Sequence, residues 1–171
     1  MADLTPRERL QPSLLDRLTD DEPGQTEEPR ERRVLSMRQL RKSVLRDLEW
    51  LLNTGNLAAA GQLDRCPLIA RSVLNYGIPD LSGNTAVSVT PKALETILCQ
   101  AIVNFEPRIL KDSVRVRVVL SPDQMNRNAI GFEVEGELWG QPMPTHMFVR
   151  SEIDFETGQV SIQDTGTSMS T

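Results

Sequence analysis

Apolar side chains recur at helical spacing from Ser36 to Asn53 and again from Pro91 to Phe105, then alternate after Pro107, so helices are expected first and a strand meander after them. Ser36 with Gln39 three residues on makes a capping box, and Leu35 and Leu40 stand at the positions of a hydrophobic staple. Leu40, Val44, Leu45, Leu48, Leu51 and Leu52 hold one apolar face as far as Asn53-Thr54-Gly55, which leaves Arg38, Arg41, Lys42 and Arg46 as a solvated face. A shorter helix is predicted to start at Pro67 and stop at Gly77, a residue suited to the left-handed position after a helix. Residues 78–84 then read as a loop. Thr90 caps a third helix that Pro91 presets, with Leu94, Ile97, Leu98, Ala101, Ile102 and Phe105 as its stripe, and Pro107 forces Glu106 out of helical geometry.

From Val114 the period is two. Val114, Val116, Val118 and Leu120 alternate with Arg115 and Arg117, and Ile130, Phe132, Val134 and Leu138 alternate with Glu133, Glu135 and Glu137. Met143 to Phe155 reads as a third strand, Glu156 to Gln159 as a turn, and Val160 to Gln163 as a fourth strand. The outward arginines of one strand and the outward glutamates of the next are placed to pair across the sheet. The predicted class is α+β, with the amino-terminal helices packed on one face of a small, mostly antiparallel sheet. A single domain spans 34–164, between a flexible segment at 1–33 and a polar tail at 165–171.

Within the first segment, Ser13 caps a short helix whose Leu14, Leu15 and Leu18 share a face. A charged run punctuated by Pro and Gly, residues 20–33, follows as a linker. So short a helix is not stable alone and must dock, either on its own domain or on a partner.

Composition narrows the function. Hydrophobic residues are 39% and aromatics only 4%, so Leu, Val, Ile, Ala and Met build the core. The net charge of −5 divides into −3 over residues 1–33, +4 over 34–120 and −6 over 121–171. An acidic carboxyl-terminal third disfavours nucleic acid, which needs a concentrated basic surface, and suits protein partners or simple solvation. Direct membrane insertion is not expected, since nowhere do eighteen apolar residues run together, and no signal region follows Met1, so a cytoplasmic protein with reduced Cys66 and Cys99 is expected. One histidine, His146, and no Cys/His cluster of zinc spacing leave no expected metal or cofactor.

One constellation carries candidate chemistry. Phe105-Glu106-Pro107-Arg108 joins the third helix to the first strand. In an extended segment Glu106 and Arg108 project to one side and Phe105 and Pro107 to the other, so the apolar pair would anchor in the core and hold the charged pair outward. On spacing alone, a local ion pair tidying a helix end, worth about 0–1 kcal/mol if exposed, is the simpler account.

The Glu106-Pro107-Arg108 triplet, residues 43–54 (SVLRDLEWLLNT), residues 72–81 (SVLNYGIPDL) and Leu14-Leu15-Asp16-Arg17-Leu18 closely resemble the TssE family. These are baseplate subunits of the bacterial type VI secretion system, related to the wedge protein of contractile phage tails long labelled "lysozyme-like". The resemblance implies a sheath-handshake-like fold and a noncatalytic subunit in a cytoplasmic baseplate at the inner membrane. Its implied partners are the TssF and TssG wedge proteins and the TssB/TssC contractile sheath, with TssK a further candidate. Glu106, Pro107 and Arg108 inherit the family's interface signature, and Leu14, Leu15 and Leu18 are the other expected partner-binding residues. Sheath relatives connect by strand exchange, so an open sheet edge, at Val114–Leu120 or Val160–Gln163, is expected to receive the first sheath ring, with Arg108, Arg115 and Arg117 setting register against an acidic surface.

Two other readings stand beside this one. A lysozyme-like glycoside hydrolase commonly needs two carboxyl groups, one kept protonated near neutral pH, and Glu106 beside Arg108 has the opposite environment. A regulatory adaptor of the same fold would bind one protein only. No catalytic residue is assigned.

Overall fold

The computed structural model describes residues 13–19, 24, 36–60, 68–82, 90–121, 128–140 and 143–164. Leu35 of the expected staple, the linker other than Gly24, Cys66 and the tail lie outside them.

Helix α1 (Leu14–Leu18) is one turn and a half, capped by Ser13, whose hydroxyl accepts from the Asp16 N–H. Helix α2 (Met37–Leu52) begins at the expected capping box: the Ser36 hydroxyl accepts from Gln39 N–H at 3.2 Å and the Gln39 side chain accepts from Ser36 N–H at 2.9 Å. Helix α3 (Pro91–Phe105) ends at Glu106, whose N–H donates to Ile102. At its start the Thr90 side chain makes no cap; its carbonyl accepts from Ala93 and Leu94 instead, so Pro91 sets this terminus.

Four strands, β1 (Arg115–Val119), β2 (Ala129–Leu138), β3 (Thr145–Asp154) and β4 (Val160–Asp164), form an antiparallel meander in sequence order. Ile130, Phe132, Val134 and Leu138 of β2 and Met147, Val149 and Ile153 of β3 bury one face. Against it α3 lies over β1 and α2 over β4, so Leu48, Leu52, Leu94, Leu98 and Ile102 complete one core. On the solvent face, Arg115 and Arg117 stand opposite Glu135 and Glu133 in register. The side-chain contacts formed there run to the other neighbour: Glu133 pairs with Arg150 at 3.1 Å and Glu135 shares a hydrogen bond with His146 at 3.0 Å, both on β3.

The helix expected from Pro67 to Gly77 is not formed. Two short 3-10 turns, Ile69–Arg71 and Val73–Asn75, take its place among the described residues, separated by Ser72 in extended geometry with its hydroxyl accepting from Leu74 N–H. Leu68, Val73 and Leu74 are exposed, so no core face rewards a continuous helix there. Gly77 does take a positive φ, +115°, but it serves a bridge between Gly55 and Ile78, and a Cβ there would sit 2.1 Å from the Thr54 carbonyl oxygen.

Both ends of the sheet have side-chain partners for outward main-chain groups. On β1 the Val118 N–H donates to Glu95 of α3 at 3.0 Å. On β4 the carboxamide of Asn53, at the end of α2, accepts from Val160 N–H at 2.8 Å and donates to Val160 O at 2.9 Å, the donor and acceptor pair that a neighbouring strand would offer.

Candidate partner-binding site

The segment after α3 is held from two sides. Trp139 N–H donates to Arg108 O at 2.7 Å and Leu110 N–H to Glu137 O at 2.8 Å, which ties residues 108–110 to the end of β2. Buried Ile109 pins this seam, and opposite it β2 carries Gly136, where a Cβ would come within 2.8 Å of the Ile109 side chain. From the other side α2 presents Ser43 and Asp47.

This arrangement reverses the expected direction of the triplet. Glu106 is only 3% exposed and Arg108 turns inward with it, while Pro107 is exposed and Phe105 half-buried. The alternation of an extended strand does not apply, because Pro107 and Arg108 form a turn. Arg108 grips both oxygens of Glu106, through Nε at 2.7 Å and Nη2 at 2.5 Å, and its Nη2 also meets Asp47 at 2.5 Å. Burial opposes its charge, yet the hydrogen bonds and the attraction of Glu106 and Asp47 outweigh that cost and raise its pKa further. Arg108 is therefore already committed to two carboxylates, whereas Arg115 and Arg117 stand exposed.

The other predicted site residues join the same place. Asp16 of α1 accepts from Ser43 Oγ at 2.6 Å and from Arg46 Nη1 at 2.6 Å, and Arg46 also meets Asp47 at 2.7 Å. Desolvation alone would raise the Asp16 pKa, but hydrogen bonds from Ser43, Arg46 and Ser13 hold its carboxyl well below the usual carboxylate range. Helix α1 thus docks on its own domain through its polar side. Leu14 and Leu18 are left 71% and 75% exposed, and Leu15 is exposed too. Arg46, expected in the solvated face, is a structural cation that also covers the Trp50 ring at 4.9 Å. Arg41 likewise reaches the Phe148 carbonyl at 3.2 Å. Nothing in the spacing of Asp16, Arg46 and Asp47 announces these contacts, since the first two are thirty residues apart.

Between α1 and the triplet lies an open cleft of about 410 Å³, lined by Leu15, Trp50, Tyr76, Phe105 and Pro107 with Glu106 and Arg108 at its floor. Tyr76 packs edge-on against Phe105, centroids 5.4 Å apart. Burial, then Asp47 and Glu106, raise the Tyr76 pKa, against the opposing pull of Arg108. The cleft offers aromatic and proline surface with a fixed charged base, which suits binding a partner's apolar side chains. Among the described residues no group of three His, Cys, Asp or Glu side chains is placed to hold a metal ion.

The family model described as baseplate wedge protein gp25 matches residues 38–143, more than half of the chain, from the first turn of α2 to the loop before β3. The triplet lies inside the match and α1 outside it. No curated protein and no solved structure matches the chain.

Proposed function

The chain belongs to the baseplate wedge protein gp25 family, structural proteins of phage-tail-like baseplates, and from that premise we propose that it is the noncatalytic wedge subunit of a type VI secretion baseplate. It joins TssF and TssG through the cleft beside Glu106, Pro107 and Arg108 and through the leucines of α1, with TssK further out in the same cytoplasmic assembly at the inner membrane. The observation that carries this reading is the exposed apolar face of Leu14, Leu15 and Leu18 held beside a cleft of Trp50, Phe105 and Pro107. An exposed apolar surface of this kind is the usual mark of a protein interface.

The sheath meets the subunit at β4. Helix α3 lies along β1 and Glu95 takes its Val118 N–H, while on β4 the Asn53 carboxamide occupies Val160 alone and the strand continues to Asp164. An added strand would pair from Ile162 onward. A hydrolase is disfavoured because a general acid must be free to reach a substrate, and both Glu106 oxygens, buried, are taken up by Arg108 donors.

Co-purification with TssF and TssG tests the proposal. Wild type is expected to bring down both, and Pro107→Asp in the cleft to lose them while remaining folded. Failure of the wild type to bind either protein, or capture of one lone regulator instead, would replace the wedge reading with the adaptor.

A further inference from the structure

The triplet and the amino-terminal arm, far apart in sequence, are joined by a continuous polar row. In order it runs Asp16, Arg46, Asp47, Arg108, Glu106, with contacts of 2.6, 2.7, 2.5 and 2.5 Å. Ser43, 7% exposed, bridges the row a second time: its hydroxyl donates to Asp16 at 2.6 Å and lies 3.4 Å from Arg108 Nη1, which donates to it. Among the described residues of the arm this is the strongest anchor, because Leu14 and Leu18 face away from the domain and Leu15, at the rim of the cleft, stays exposed.

A five-residue helix does not persist by its own hydrogen bonds. Its order therefore depends on Asp16 being caught, and Asp16 is caught only if Ser43 and Arg46 are correctly aimed. Arg108 restrains both. It orients the Ser43 hydroxyl by donating to its oxygen, which leaves the hydroxyl proton for Asp16, and it shares the Asp47 carboxylate with Arg46. Glu106 in turn fixes the plane of the Arg108 guanidinium by accepting from two of its nitrogens.

We infer that Glu106 and Arg108 are positioning residues for the arm: they hold Ser43, Asp47 and, through these, Arg46 in the arrangement that latches Asp16, so that substituting the triplet releases the leucine face of α1. This holds whatever partner that face takes, and it separates two effects of a triplet variant, a change in the cleft and the loss of an ordered arm.

Hydrogen exchange on the full chain, labelled from milliseconds to seconds, tests it without any partner. The reporters are the Thr19 N–H, which donates to Leu15 O at 3.0 Å, and the Asp16 N–H. Asp16→Asn defines the released arm. Arg108→Ala and Ser43→Ala are both expected to raise arm exchange by about tenfold or more, the loss of one charged hydrogen bond. Ser43→Ala keeps the helix well formed, so exchange in α3 and in β2 and β3 should stay at the wild-type rate, which keeps the test meaningful should Arg108→Ala unfold. Arm exchange that rises in Asp16→Asn but is unmoved in a folded Arg108→Ala, or in Ser43→Ala, would overturn the coupling. A wild-type arm already exchanging at the Asp16→Asn rate would overturn the latch itself.

Discussion

The guanidinium of Arg108 closes on both oxygens of Glu106, two residues before it in the chain, and the carboxylate it closes on is almost wholly buried. A pair of this kind is costly to break from one side. Arg108→Ala leaves the buried Glu106 carboxyl with only the main-chain N–H of residue 108 as donor, at 3.1 Å, and because Arg108 is itself partly exposed the expected loss is about 2–3 kcal/mol, below that of a fully buried pair. Arg108→Glu adds a third carboxylate beside Glu106 and Asp47 and should cost more. Urea denaturation of the three proteins checks the order, wild type above Arg108→Ala above Arg108→Glu.

The arm should be dispensable for the fold. Among the described residues of 1–30 are Asp16 and the exposed leucines of α1, and no buried apolar side chain. The melting temperature is expected to change by less than about 3 °C, while co-purification with wedge partners weakens. A fall of many degrees would mean that the segment contributes to the core.

Latching should survive mild acid. The Asp16 carboxyl is held below its ordinary value, so its contribution is fully present above the unfolded pKa of about 3.9 and is lost only as pH falls through the depressed folded value. The carbon-13 shift of the Asp16 carboxyl should stay flat from pH 8 to pH 5, and arm order with it. A midpoint near pH 4 would show an unlatched arm.

Asn53 makes its own prediction. Asn53→Asp keeps the acceptor for Val160 N–H but removes the donor to Val160 O, and Asn53→Ala removes both. Each should destabilise by about 1–2 kcal/mol, read by thermal melting. If β4 is the receptive edge, Ile162→Pro should block sheath assembly in cells while the isolated protein stays folded, since proline removes a ladder donor at an edge.

The strands, α2 and α3 were legible because each buries a face whose period is local: Val116 and Val134 show their alternation within a few residues. The segment from Pro67 to Gly77 was misleading because proline and glycine bracket it as they bracket a helix, yet Leu68, Val73 and Leu74 find no surface to cover. The triplet could be located but not oriented. Its direction depends on a turn at Pro107 and on Asp47, sixty-one residues away, and pairings across such a distance leave no periodic trace. The same holds for Asp16 and Arg46, where both residues read separately as ordinary surface charges.

The polar row has an asymmetric end. Its signs alternate from Asp16 to Glu106, with three carboxylates and two guanidiniums, so one anion is in excess. Take away the terminal Asp16 and every cation still has a carboxylate, Arg46 keeping Asp47 and Arg108 keeping Glu106. Take away the Arg108 side chain and buried Glu106 loses its cation, keeping only a main-chain donor. The chain can thus shed its first helix and recover it without disturbing the charge balance of the interior, which makes the arm a replaceable part: an incoming acidic side chain from another subunit could occupy the vacated place against Arg46 and Ser43, and the domain beneath would register no loss.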